Sequence, residues 1–211
     1  MRRYMQILVF GGERRSTQSV SPPVWRRLFH VIAGSSIPLV GIFVSETAMV
    51  WALSFLAVGG IGLDLVRFRV GWLNRLFTRW MAPLLKADEA NHITGATYMV
   101  IAALLVYVLY GKEVAIPAMF FLSLGDPAAA LVGRRMPGPR ILGKSPLGTA
   151  AFIGVGSGMA AVLIAANVID HHWALWAGVA VAGAGELASI PPDDNLSVPL
   201  LAGTAMHFLG V

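Results

Sequence analysis

The sequence predicts an all-α fold: a polytopic transmembrane helical bundle of about seven spans. Its N-terminus is cytoplasmic, and one interfacial amphipathic helix lies between spans two and three. Three observations carry this. Of 211 residues, 56% are hydrophobic and 13% are charged, where soluble domains carry about 25% charged residues. Apolar runs recur at about the 20-residue length that a bilayer crossing requires. The basic residues fall almost entirely in alternate loops.

The expected spans are 28–45, 47–66, 93–110, 114–133, 147–169, 173–190 and 196–209. The first and last are short and suit tilted or partly embedded helices. Residues 67–86 read differently. Trp72, Leu73, Leu76, Phe77, Trp80 and Leu84 share one helical face, and Asn74, Arg75, Thr78 and Arg79 share another. That is the pattern of a helix lying in the membrane interface with its apolar side down, or of one packed on its own protein. Six of the 16 Lys and Arg residues precede span one, five lie between spans two and three, and four between spans four and five. Only Lys112 falls on the opposite side. The positive-inside rule then makes the first of these loops cytoplasmic and puts Val211 outside. His171 and His172, also on the outer side, read as a solvated loop. Residues 1–25 read as a flexible cytoplasmic N-terminus, and 26–211 as one membrane-embedded domain. The first apolar run, Ile7 to Phe10, is too short for the core of a signal peptide.

Composition also excludes some chemistry. With no cysteine, neither disulfides nor thiolate metal sites are available. The net charge of +5 has no soluble basic module to go with it, so nucleic acid is not an expected partner. Gly154 and Gly158 form a GxxxG pair, expected to be a helix-packing face.

Carboxylates within spans are the informative charges, because each costs about 2.5–3.5 kcal/mol on insertion scales and is therefore functional or paired. Asp64, Asp126 and Glu186 all lie toward the cytoplasmic ends of their spans, and Asp193, Asp194 and Asn195 follow in a loop on that side. Asp126 is the strongest candidate. Pro127 follows it, which predicts a kink or break in the helix, and the small residues Gly125, Ala128, Ala129 and Ala130 leave room for a ligand. Between spans four and five, Gly133, Arg134, Arg135, Arg140, Gly143, Lys144 and Ser145 combine cations, glycines and a helix N-terminus, the makings of an anion site. Residues 138–145 match GxxxxGK[ST], but no strand precedes them and Pro139 removes an amide, so a P-loop fold is rejected. Lys144 and Ser145 at a helix start still suit phosphate. Arg27, His30, Asp88, Glu89, Asn91, His92 and Thr94 are further groups at the cytoplasmic edge.

These residues together resemble the polyprenol kinase family, which includes dolichol kinase, phytol kinase and CTP-dependent diacylglycerol kinase. The likeness is carried by Arg26-Arg27-Leu28-Phe29-His30, by Glu89 with residues 94–98, by residues 125–135 followed by 143–149, and by Glu186 followed by residues 194–200. Pro127 and Pro146 depart from the family pattern. The chain also shows none of the extra N-terminal helices of dolichol kinases, so dolichol is not the expected substrate.

The resemblance implies phosphoryl transfer from CTP, with ATP as the alternative donor, to the hydroxyl of a membrane lipid alcohol. An isoprenoid alcohol of polyprenol, phytol or geranylgeraniol type is the expected acceptor. It makes Asp126, Lys144 and Glu186 catalytic, and Asp126, Glu186 and Asp194 the ligands of Mg²⁺. Nucleotide and phosphate would lie on Gly125, Gly133, Arg134, Arg135, Gly143, Lys144, Ser145, Gly148, Thr149 and Asn195. Arg27, His30, Asp64, Glu89 and Thr94 are candidates to meet the lipid hydroxyl or support the site, and Asp126, Glu89 and His30 are the candidate general bases. The expected location is the cell inner membrane, with the site facing the cytoplasm. The alternatives are nucleotidyl transfer of the CTP:phosphatidate cytidylyltransferase kind and a small membrane transporter. A Pro-Gly-His-Gly-Gly run before Asp-Arg-x-x-Asp is missing, which disfavours the first. The one-sided distribution of polar residues disfavours the second.

Overall fold

The computed structural model describes residues 24–86, 89–136 and 138–211. The expectation for the N-terminal segment before residue 24, and those for Asp88 and Pro137, lie outside the described residues. The described chain is all-helical. Eight helices run in order: α1 (Val24–Phe43), α2 (Glu46–Arg69), α3 (Gly71–Met81), α4 (Gly95–Tyr110), α5 (Lys112–Arg135), α6 (Pro146–Ala165), α7 (Trp173–Ala188) and α8 (Asp194–Phe208). Each of the seven expected spans is a helix. Three of them, α2, α5 and α6, are long and apolar enough to cross a membrane; α4 and α7 are apolar but have 16 residues each.

Local chemistry sets the helix starts. Ser45 Oγ accepts the amide of Ala48 at 3.3 Å, Thr94 Oγ1 that of Thr97 at 3.2 Å, and Asp193 Oδ1 that of Asn195 at 2.9 Å. His172 Nδ1 does the same for Ala174 at the head of α7. Each cap satisfies a backbone donor that has no partner within its helix. At the opposite end of α1, the Lys112 ammonium donates to the carbonyls of Ile42 and Val44, both at 3.0 Å. The single cation assigned to the far side of the membrane therefore closes a helix C-terminus, where positive charge is favoured.

Helix α5 is the hub. It packs against α1, α4, α6, α7 and α8, and a continuous run from Val114 to Ser123 is buried. Phe121, Leu122, Phe152, Leu175 and Met206 fill the centre. The ring of Phe152 lies directly on Gly125, where an added Cβ would stand 2.7 Å from ring carbons. Of the expected kink or break, the break does not occur: α5 continues past Asp126. It runs unbroken through both Pro117 and Pro127, because packing on five other helices outweighs the loss of one backbone hydrogen bond at each proline.

The outer surface is apolar. Trp51 and Phe55 of α2 are 74% and 80% exposed, and large aliphatic side chains surround the bundle. A water-soluble protein would bury such groups, so this belt and the three long apolar helices are those of an integral membrane protein. Gly154 and Gly158 belong to this outer face: an added Cβ at either would meet nothing within 4 Å. The expected helix-packing role of the GxxxG pair is therefore not used among the described residues.

Helix α3 has the expected amphipathic character over a shorter stretch, with its faces divided differently. Trp72, Leu76 and Trp80 point outward, while Asn74 and Phe77 turn toward the protein. The reason is Arg67, a wholly buried side chain. Its guanidinium donates to Asp64 Oδ1 at 2.7 Å, Asn74 Oδ1 at 2.9 Å, and the carbonyls of Glu89, Ala90 and His92. It also lies between the rings of Phe68 and Phe77, 4.5 and 4.7 Å from their centroids. One arginine thus ties α2, α3 and the segment before α4 together, and Asn74 belongs to that knot.

Candidate functional site

The turn after α5 is built to hold a lysine in place. Ile141 and Lys144 exchange backbone hydrogen bonds of 2.8 and 2.9 Å across a two-residue turn. Its central residues, Leu142 and Gly143, both have positive φ, 50° and 86°. This is the geometry of a type I′ turn, which glycine adopts freely at the second position. Leucine at the first costs about 1–2 kcal/mol. Ser145 then caps α6, and Pro146 opens that helix.

The turn delivers Lys144 to the point where α7 ends and α8 begins. Its ammonium donates to Asp194 Oδ2 at 2.8 Å and to the backbone carbonyl of Glu186, and lies 3.0 Å from Glu186 Oε1. An ammonium has three N–H donors, and these three oxygens use them all. Thr149 Oγ1 holds the other carboxylate oxygen, Glu186 Oε2, at 3.3 Å. Burial alone would lower the Lys144 pKa; the hydrogen bond and charge of Asp194, joined by Glu186, outweigh it and raise the pKa above its ordinary value. A second ion pair, Lys86 to Asp193 Oδ2 at 2.5 Å, ties the chain ahead of α4 to the same α7–α8 junction.

These groups line a cavity of about 290 Å³ together with Asp126, His30, Asn195 and the arginines Arg26, Arg27, Arg134 and Arg140. Gly133, Gly143, Ser145 and Gly148 complete the wall. Asp126 faces His30, with Oδ2 4.0 Å from Nε2. Two buried nitrogens on this wall, Arg27 Nε and His30 Nε2, have no hydrogen-bond partner among the described residues. The cavity thus gathers carboxylates, cations and two unpartnered nitrogens around one space, a setting that suits a polyanion.

The expected site residues divide three ways. Asp126, Lys144, Glu186, Asp194, Asn195, Arg27, His30, Arg134, Gly133, Gly143, Ser145 and Gly148 come together around the cavity. Thr149 stands behind them, acting through Glu186. The remainder do not line this cavity. Gly125 receives the Phe152 ring. Arg135 is exposed and is not among the residues lining the cavity. Asp64, 2% exposed against 36% for Asp126, is saturated by Arg67, the Thr94 amide and the Thr97 hydroxyl. Glu89, named as a candidate base, accepts the amides of Lys86 at 2.8 Å and Gly95 at 2.9 Å, one on each oxygen. Both carboxylates brace the fold, and Thr94 is the cap of α4.

Lys86 also lines the cavity but was counted only among the basic loop residues, while Arg26, Arg140 and Asp193 were named within their segments without a role of their own. Arg140 reaches back to donate to the Gly133 carbonyl at 3.0 Å. Its membership of the cation-rich loop was the available signal. Among the described residues, no three His, Asp or Glu side chains stand close enough to hold a metal ion unaided.

With the geometry in hand, comparison with known proteins is informative. This chain is similar to CTP-dependent diacylglycerol kinases. It is 26% identical to CTP-dependent diacylglycerol kinase 1 of Saccharomyces cerevisiae over 115 residues, 52% of this chain and 38% of that protein. It is 31% identical to the Schizosaccharomyces pombe protein of the same name over 72 residues, 34% of this chain and 33% of that one. An uncharacterised protein of Rickettsia prowazekii is 26% identical over 130 residues, 60% of this chain and 63% of its own length. The chain thus spans less than two thirds of each of these relatives. No family model matches it, and no solved structure does. The two named relatives are lipid kinases, and neither is a polyprenol kinase by name.

Proposed function

We propose that the protein is a CTP-dependent lipid kinase, transferring the γ-phosphoryl group of the nucleotide to the hydroxyl of a membrane lipid alcohol. The observation that carries this is the single cavity in which Asp126, Glu186 and Asp194 confront Arg26, Arg27, Arg134 and Arg140. Phosphoryl transfer asks a protein mainly to neutralise charge and to align the reacting oxygens. The similarity to CTP-dependent diacylglycerol kinases over about half of the chain supports the same reading and favours CTP as donor.

In this reading the arginines hold the triphosphate, Arg134 and Arg140 from the α5–α6 connection and Arg26 and Arg27 from the start of α1. Lys144 is a positioning residue, since all three of its donors fix Glu186 and Asp194 in register on the cavity wall. Carboxylates lining the cavity are hard oxygen donors of the kind Mg²⁺ takes together with phosphate oxygens and water. Asp126 and Asp194 are the residues that would hold it, Glu186 having both oxygens engaged by Lys144 and Thr149, and when bound it would neutralise charge developing on the phosphates. The acceptor oxygen forms its bond to γ-phosphorus as the bond from γ-phosphorus to the bridging oxygen breaks, releasing CDP. The hydroxyl proton passes to the His30–Asp126 pair, where His30 Nε2 is unpartnered.

The reading further takes α1, α2, α4, α5, α6, α7 and α8 as seven spans, with the cavity on the cytoplasmic side of the inner membrane. Support comes from Arg26, Arg27, Lys86, Arg134, Arg140 and Lys144, drawn from three alternate loops, gathering at the cavity, while Lys112 closes the opposite end of α1. The acceptor is a lipid alcohol. The isoprenoid expectation rests on sequence resemblance alone, whereas the named relatives point to diacylglycerol.

The deciding experiment supplies purified protein in nanodiscs with CTP labelled at either the α or the γ phosphate. The acceptors are diacylglycerol, geranylgeraniol, phytol or a polyprenol. γ-label in a lipid monophosphate, with CDP released, is expected. α-label in the lipid with pyrophosphate released would replace the kinase by a nucleotidyltransferase.

A further inference from the structure

A second cavity, of about 430 Å³, adjoins the first. Ala33 and Ile37 of α1, Leu56 and Leu63 of α2, and Met99 and Val100 of α4 form its apolar walls. It exists because of how the helices pair. α1 packs on α5, α2 packs on α4 and α3, and α1 and α2 scarcely touch although they are consecutive in the chain. Three residues, Arg26, His30 and Asn195, line both cavities, so the two meet there.

The polar groups elsewhere on this second wall are already satisfied. Asp64 accepts from the Thr94 amide and the Thr97 hydroxyl, and Glu89 from two backbone amides. They ask nothing of an occupant. Unmet polar capacity lies at the shared end, where His30 Nε2 has no partner. The cavity also opens sideways. Phe29, Leu56, Leu63 and Met81 line it and also stand exposed on the apolar outer surface of the bundle. Beside that mouth, Trp72 and Trp80 of α3 face outward, as tryptophans do at a membrane interface.

We infer that this cavity is the acceptor site. A lipid alcohol enters from the bilayer between α1 and α2, lays its hydrocarbon tail along Leu56, Met99 and Val100, and presents its hydroxyl at His30 and Asn195, facing Asp126. An apolar sleeve with polar groups in demand at one end only matches a molecule that is a greasy chain with one hydroxyl. The inference rests on the kinase reading and deepens it by separating an acceptor chamber from the nucleotide chamber.

Two measurements test it. The first uses unmodified protein in phosphatidylcholine nanodiscs with a long-chain alcohol carrying a diazirine in its tail. Photolysis is expected to label peptides containing Leu56 and Met99, and excess unlabelled lipid alcohol, but not extra phosphatidylcholine, is expected to suppress it. Label confined to outward residues such as Trp51 and Phe55, or suppressed equally by phosphatidylcholine, overturns the inference. The second places tryptophan on opposite walls, as Ala33→Trp and Ala96→Trp. Each is expected to raise KM for diacylglycerol or geranylgeraniol by about tenfold, corresponding to about 1.4 kcal/mol, with KM for CTP unchanged. Gly59→Trp, placed where an added Cβ meets nothing within 4 Å, is expected to change neither. Unaltered acceptor KM in both wall variants also overturns the inference. Should unmodified protein phosphorylate no lipid at all, the kinase reading falls, and the labelling pattern still decides whether the chamber takes lipid alcohols.

Discussion

Lys144 Nζ and Asp194 Oδ2 lie 2.8 Å apart across 50 residues of sequence. That contact joins the α5–α6 turn to the head of α8, and through the Glu186 carbonyl and carboxylate it takes in the end of α7 as well. A helix C-terminus and a neighbouring carboxylate are both places where a cation is stabilised. The ammonium thereby neutralises two carboxylates that would otherwise repel each other on one cavity wall.

Removing that cation should expose the repulsion. Lys144→Met is expected to lower thermal stability at neutral pH and to cost activity. The pKa of Lys144 is raised, so its contribution to stability is complete below the ordinary lysine value of about 10.4. It is lost only as pH climbs through the raised value. Unfolding followed by intrinsic fluorescence from pH 7 to 11 should show a wide gap between the two proteins that narrows only at the alkaline end. A gap that closes by pH 8 would contradict the assignment.

Arg67 is expected to matter for folding and not for chemistry. Substituting methionine strands the buried carboxylate of Asp64 and three backbone carbonyls. Breaking one partner of a buried pair costs about 3–5 kcal/mol. Arg67→Met should therefore unfold at much lower temperature, while the fraction that remains folded transfers phosphate at a near-normal rate per molecule. Active-site titration alongside a melting curve separates the two effects.

The arginines should divide by position. Arg140→Gln and Arg134→Gln each remove a cavity cation, and a charge-assisted hydrogen bond is worth about 1.5–3 kcal/mol. KM for CTP is expected to rise about tenfold or more in both. Arg135→Gln, one residue along but not among the residues lining the cavity, should leave it unchanged. Equal effects at Arg134 and Arg135 would mean that the loop acts only through its bulk charge.

His30→Gln is expected to reduce kcat by about 10²–10⁴, the usual contribution of a positioned acid or base. It should leave KM for CTP nearly intact, because His30 stands between the two chambers and no arginine is disturbed. A rate-versus-pH profile would read the change directly: the acid limb of kcat present in the unmodified protein should flatten in the variant.

The helices were legible in the sequence as apolar runs set off by polar and turn residues; all seven expected apolar segments and the amphipathic one became helices, three of them long and apolar enough to cross a membrane. Their partnering was not. Asp64 and Asp126 look alike as carboxylates near span ends, yet one is locked to Arg67 and the other opens on the cavity. Only the three-residue offset from Asp64 to Arg67 hinted at the difference. Glu89 gave no hint of its two backbone amide contacts, which depend on how a loop closes. Pro127 was expected to kink or break α5 on local grounds, and tertiary packing carries the helix through it without a break. Lys144 was read as a catalytic and phosphate-binding residue from its motif-like setting; in the structure its ammonium meets the carboxylates of Glu186 and Asp194 and the Glu186 carbonyl, partners the sequence did not name. The second cavity had no sequence signal, since it arises from α1 and α2 packing on different neighbours.

The central claim is that the cavity bearing Asp126 carries out phosphoryl transfer to a lipid. Single-turnover transfer from γ-labelled CTP to a lipid alcohol, comparing unmodified protein with Asp126→Asn at equal folded concentration, tests it most directly. The account predicts labelled lipid monophosphate from the unmodified protein and a fall of at least about 10²–10³ in rate for the variant, with its melting temperature retained. Transfer at the unmodified rate by Asp126→Asn would contradict it.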